Sequence, residues 1–99
     1  HATVELRLLL IEAMSQASLV MYVTITLYVD DATLEAIGPA PVVRCALVRA
    51  TRIFTAALQR MRMEFSPTKN VCVASSPALA HTIVEALPGL ALRTASILL

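Results

Sequence analysis

The sequence predicts an α+β domain: an antiparallel sheet with helices on one face. Two observations carry this. An apolar-polar alternation from residue 19 to 30 ends at Asp30-Asp31 and is followed by a second strand-like run, Ala32 to Ile37. Long and short helical patterns then alternate with short strand signals from residue 41 onward. Strands grouped together, with helices beside them, define that class.

Ninety-nine residues allow one small domain at most. The composition is 58% hydrophobic and 15% charged. Soluble domains lie nearer about half apolar and a quarter charged. The excess points to surfaces covered by neighbours in a longer protein. The chain opens on His1 and stops in the apolar run Ile97-Leu98-Leu99, so both ends look cut and the domain is expected to be a fragment. Such a piece is expected to be poorly soluble alone. The net charge of +1 makes no bulk electrostatic case for nucleic acid. Cys45 and Cys72 match no metal or redox spacing and read as two reduced, buried thiols, which suits an intracellular protein. Glu5, Arg7 and Glu12 interrupt the N-terminal apolar stretch, which excludes a signal peptide. The run Leu19 to Val29 is about half the length of a membrane span, so no membrane segment is expected.

Residues 3 to 17 read as a helix. Glu5, Glu12 and Gln16 fall on one narrow stripe and the rest is almost wholly apolar, so it would be packed on most sides. Residues 19 to 30 switch to period two. Leu19, Met21, Val23, Ile25, Leu27 and Val29 form a greasy face directed at the helices; Val20, Tyr22, Thr24, Thr26, Tyr28 and Asp30 form the other. With Ala32 to Ile37 returning and Gly38-Pro39 closing, the product is a β-hairpin with two carboxylates at its tip. Residues 41 to 62 read as a long helix starting near Pro41. Val43, Leu47, Ala50, Phe54, Ala57 and Met61 form its core stripe, with five arginines off it. A short strand follows near Asn70 to Ala74. Ser76 then caps a helix with Pro77 at its first position, and Pro88-Gly89 stops it. Residues 90 to 98 read as a last strand.

The chemistry lies at the hairpin tip. Adjacent carboxylates repel and favour a compensating cation. Mg²⁺ suits them, being a hard ion held by a couple of carboxylates plus phosphates. A polar hairpin turn is the plainer reading of the same pair, because Asp suits turns. Lys69 reads equally as an exposed loop lysine. Tyr22, Thr24 and Thr26 read as a solvated sheet face or a stacking platform for nucleic acid. The arginines read as a solvated helix face or phosphate contacts. His81 and Glu85 lie one turn apart and read as an exposed helix pair.

Tyr28-Val29-Asp30-Asp31, at the turn of a hairpin after a hydrophobic strand, resembles the catalytic hairpin of reverse transcriptases. Leu58 to Asn70 resembles that family's next conserved block: a helix end, a short strand, then a Ser-Pro-x-Lys turn, here Ser66-Pro67-Thr68-Lys69. Leu27 to Leu34 and Glu64 to Ser75 most resemble reverse transcriptases of non-LTR retroelement type. The resemblance implies a partial, ferredoxin-like polymerase palm and RNA-directed DNA polymerase activity. The substrates would be a dNTP, an RNA template and a DNA primer.

It also implies roles for single residues. Asp30 and Asp31 would hold Mg²⁺ in a two-metal site, Tyr28 would line the cleft, and Lys69 would approach the triphosphate. The family takes a further metal-binding aspartate from an earlier strand, and no such segment is recognisable here. The site is therefore expected to be completed by a residue outside this piece. The fingers and thumb are expected outside it too, leaving this piece inactive alone. Arg62 stands where such sequences commonly place glycine between helix and strand. Two other readings remain: a non-enzymatic α+β binding or assembly module, and an inactive retroelement remnant.

Overall fold

A computed structural model describes residues 3–12, 22–28 and 30–96. In chain order these form β1 (Thr3–Glu12), β2 (Tyr22–Tyr28), β3 (Asp31–Gly38), α1 (Ala40–Arg60), β4 (Glu64–Phe65), β5 (Val71–Ala74), α2 (Pro77–Ala86) and β6 (Arg93–Ser96). The α+β class expected from the sequence stands.

The first expected helix is instead the strand β1, and residues 13 to 17 of that expectation lie outside the described residues. Val4, Leu6, Leu8 and Leu10 are buried at period two, while Thr3, Glu5, Arg7, Leu9 and Ile11 face the other side. β1 is an inner strand, with β3 on one flank and β5 on the other. Inner strands of parallel pairs are apolar on both faces, and in sequence that resembles a buried helix. Burying Leu6, Leu8 and Leu10 stabilises the fold by about 1.5–3 kcal/mol each.

The sheet is mixed, not antiparallel throughout. Its order is β2-β3-β1-β5-β6, with β4 pairing with the start of β1. Only β2 and β3 are antiparallel, joined by the two-residue loop between paired Tyr28 and Asp31. β1 runs parallel to β3, β4 and β5, and β5 runs parallel to β6. The physical reason is connectivity. α1 carries the chain back from β3 to β5, and α2 from β5 to β6, and a helical crossover returns the next strand in the same direction. Both helices pack on the face that holds Leu6, Leu8, Leu34 and Cys72, and they touch each other.

β2 covers residues 22–28 of the expected strand; residues 19 to 21 and 29 lie outside the described residues. Ile25 and Leu27 pair with buried Leu34 and Ala32, so they sit on the helix side as expected. They are not covered, however: Ile25 is 48% and Leu27 65% exposed. α1 lies over β3 and β1 and scarcely reaches the edge strand.

α1 follows Pro39 and buries Val43, Leu47, Thr51 and Leu58, with Ala50 and Phe54 packed beside them. The Phe54 ring meets Phe65 of β4 at a centroid distance of 6.0 Å, inclined by 57°. Met61, expected in the core stripe, is exposed because α1 ends at Arg60. The chain leaves α1 through Arg62 at φ 57. The Met63 N–H donates to the Leu58 carbonyl at 2.9 Å, and the Arg62 N–H to Gln59 at 3.1 Å. This is the left-handed helix stop that glycine normally serves, made here by arginine. The five arginines of residues 41 to 62 are all exposed.

α2 starts as expected: the Ser76 hydroxyl accepts the Leu79 N–H at 3.2 Å. Leu79, Ala80 and Ile83 face the core, and Pro88–Leu90 forms a single 3₁₀ turn before β6. His81 and Glu85 pair at 2.9 Å on its exposed side. Cys72 is buried, which pushes its thiol up to about 11. Cys45 corrects the expectation of two buried thiols, because it lies on the outer side of α1. Among the described residues, no helix is long and apolar enough to cross a membrane.

Two stability predictions follow from α1. Thr51 is wholly buried and its hydroxyl meets no partner among the described residues. An unsatisfied buried hydroxyl costs free energy that a methyl does not. Thr51→Val is therefore expected to stabilise the protein by about 1 kcal/mol in urea unfolding. Arg62→Gly is expected to add about 1 kcal/mol by relieving the left-handed backbone, read as a higher melting temperature. A fall in stability with either variant contradicts its account.

Candidate active site at the hairpin tip

The hairpin brings Asp30 into the turn and makes Asp31 the first residue of β3. Tyr28 is the last residue of β2 and stands in register with Asp31. The cleft-lining role expected of its side chain falls outside the described residues. The parallel pairing of β1 with β3 sets Glu5 beside Asp31 and Arg7 beside Thr33. The Glu5 N–H donates to the Asp30 carbonyl at 2.8 Å, docking β1 onto the tip. On the other side of β1, Val71 stands in register with Arg7.

Lys69 arrives from the loop before β5. Its Nζ lies 3.2 Å from Glu5 Oε1. The neighbouring Asn70 holds it there, being almost fully buried. Asn70 Oδ1 accepts the Leu6 N–H at 3.0 Å, and Nδ2 donates to the Leu90 carbonyl at 2.9 Å. Upstream, the Ser66 N–H donates to the Val4 carbonyl at 2.8 Å. The Ser66–Lys69 loop is thus fastened to β1 at both ends.

The result is a shallow cavity of about 240 Å³ on the open face of the sheet, bordered by Glu5, Arg7, Asp31, Thr33 and Lys69. Its charges interact. The Asp31 carboxyl is raised above the usual value, first by partial desolvation against the strand, then by the Glu5 charge and a hydrogen bond with Glu5, then by Asp30; Lys69 pulls the other way. A larger cavity of about 320 Å³ lies at the opposite end of β1, bordered by Glu12, Arg44, Ser76 and Thr82. It contains none of the site residues expected from the sequence.

The fold therefore brings Asp31 and Lys69 to one cavity, with Asp30 in the adjoining turn. It adds Glu5 and Arg7, which the sequence reading missed. β1 is an earlier strand and sets Glu5 beside Asp31, but it carries no aspartate, so the further metal-binding aspartate expected outside this piece is not found on it. The missed signal was the alternation of Thr3, Glu5 and Arg7 with Val4, Leu6 and Leu8.

Carboxylates crowded enough to raise a pKa are hard oxygen donors of the kind Mg²⁺ prefers, and that ion draws its remaining ligands from water and phosphate. The donor chemistry fits. Among the described residues, however, no three His, Cys, Asp or Glu side chains gather as ligands of one ion. No protein family, curated protein or solved structure matches this chain.

A raised carboxyl pKa means that folding disfavours the ionised form, so the cost is present at neutral pH and vanishes once acid protonates the group. Asp31→Asn is accordingly expected to raise the melting temperature at pH ~7 and to leave it unchanged near pH ~3. An equal effect at both pH values would exclude the raised Asp31 carboxyl as the cause.

Proposed function

We propose that this chain is the central palm piece of an RNA-directed DNA polymerase of non-LTR retroelement type. One observation carries the reading. Asp31 of the acidic tip lies beside Glu5 of a second strand and Lys69 around one cavity, with Asp30 in the adjoining turn. Two helices on one face of the sheet, with the hairpin at its edge, are compatible with an α+β palm. The parallel pairings of β1 with β3 and β5, and of β5 with β6, depart from the antiparallel sheet of a ferredoxin-like palm.

In the proposed reaction the 3′-hydroxyl oxygen of a DNA primer, giving up its proton to water, attacks the α-phosphorus of a dNTP, templated by RNA. A new phosphorus–oxygen bond forms, the bond to the β-phosphate bridge breaks, and pyrophosphate leaves. Asp30 and Asp31 would hold Mg²⁺, with Glu5 as a further oxygen donor. When bound, Mg²⁺ supplies the positive charge that such phosphoryl transfers require. Lys69 leaves Glu5 for the β- and γ-phosphates, where it stabilises the leaving group and supplies a proton to it. Arg7 offers a second cation to the phosphates from the next outward position of β1. The share of the protein is positioning and charge stabilisation. The fingers, the thumb and most template contacts belong to other parts of the parent polymerase, so this piece is inactive alone.

A second reading is favoured by the Lys69–Glu5 pair, which neutralises one of the three carboxylates without any ligand. In that reading the chain is a small α+β binding or assembly module with no chemistry at the tip.

Asp30→Asn separates the two. In the parent polymerase it is expected to abolish primer extension without altering the melting temperature. In this chain, millimolar Mg²⁺ is expected to raise the melting temperature of the wild type and not of Asp30→Asn. Retained extension, with no Mg²⁺ effect on either protein, leaves the binding module as the reading that stands.

A further inference from the structure

The two edges of the sheet differ in character. β6 is four residues long and starts with the charged, exposed Arg93. β2 is seven residues long and occupies the other edge. From Leu19 to Val29 the sequence carries no charged residue and no proline. Soluble proteins protect edge strands with short length, lysine, proline or a bulge. β2 has none of these among the described residues, and its central residues Thr24, Ile25, Thr26 and Leu27 are all exposed. Ile25 and Leu27 leave an apolar strip on the helix side that α1 does not cover.

We propose that β2 pairs antiparallel with β2 of a second copy of this chain, about a two-fold axis through Ile25, joining two sheets into one. The strand is its own complement. Ile25 is the midpoint of Tyr22–Tyr28, so the axis sets Ile25 opposite the partner's Ile25 and Thr24 opposite the partner's Thr26. Val23 then stands opposite the partner's Leu27, and Tyr22 opposite the partner's Tyr28. Apolar register positions meet apolar ones and threonine meets threonine, which are favourable cross-strand pairs. No charge meets a like charge in this register, because Tyr22–Tyr28 carries no Asp, Glu, Lys or Arg. A two-fold contact closes on itself, so the edge is consumed and no fibre grows.

The inference draws on none of the residues of the acidic cavity: Ile25 lies on the helix side of the sheet, and the cavity lies on the open side.

Light scattering coupled to size exclusion tests it. Across the micromolar range the wild type is expected at twice the 10.6 kDa of one copy. Ile25→Lys and Ile25→Glu, each alone, bring like charges together at the axis and are expected at the mass of one copy. Mixed in equal amounts, they are expected to return to the doubled mass, because lysine then faces glutamate. That return cannot arise from misfolded variants, and a cooperative melt of each checks the same point. The proposal is overturned by a wild type with the mass of one copy, by assembly beyond two copies, by doubled mass in either variant alone, or by a mixture that stays at the mass of one copy.

Discussion

The side-chain amide of Asn70 is the constraint on which the arrangement depends. It is buried, and it ties three parts of the chain that the sequence keeps far apart. Its oxygen accepts from Leu6 in β1 and its nitrogen donates to Leu90 after α2, while the backbone carbonyl of Asn70 accepts the Arg93 N–H at 3.0 Å. A buried amide with only some of its bonds made costs about 1–3 kcal/mol for each group left unpaired. The amide is therefore satisfied only when β1, β5 and the approach to β6 stand in one register. Lys69 precedes it directly, so the same bonds that set the strands also set the distance from Lys69 to Glu5.

The local charge pattern makes the site unlike the chain as a whole. The net charge of +1 says nothing about a face on which Glu5, Asp30 and Asp31 confront Lys69 and Arg7. The Asp31 carboxyl stays raised chiefly by desolvation, then by Glu5 and Asp30, and Lys69 offsets only part of this.

Much of this was legible in the sequence, and the failures have identifiable causes. The hairpin, α1, the Ser76 cap and α2 depend on short-range signals: alternation, a proline at a helix start, a hydroxyl before it. These were read correctly. β1 was misread because Leu9 and Ile11 on its open side hide the alternation that Leu8 and Leu10 provide on the other. The direction of β5 was not legible, since parallel and antiparallel partners need the same side chains and differ only in how the chain returns. Glu5 and Arg7 were missed as a consequence: on a helix they belonged to a solvated stripe, whereas on a strand they stand beside the acidic tip. Cys45 and Met61 were assigned to the interior on apolarity alone, which does not decide which side of a helix meets the sheet.

The position of β1 at the centre also governs the order in which the molecule can be assembled. Its bonds reach far along the chain: Leu6 and the amide that accepts its N–H are 64 residues apart. The hairpin and both helices close over short loops, whereas β1 waits for β3 and then for β5. Long loops of this kind close slowly, and the waiting strand meanwhile shows its leucines to the solvent. The central strand is thus the one whose native partners lie farthest from it along the chain.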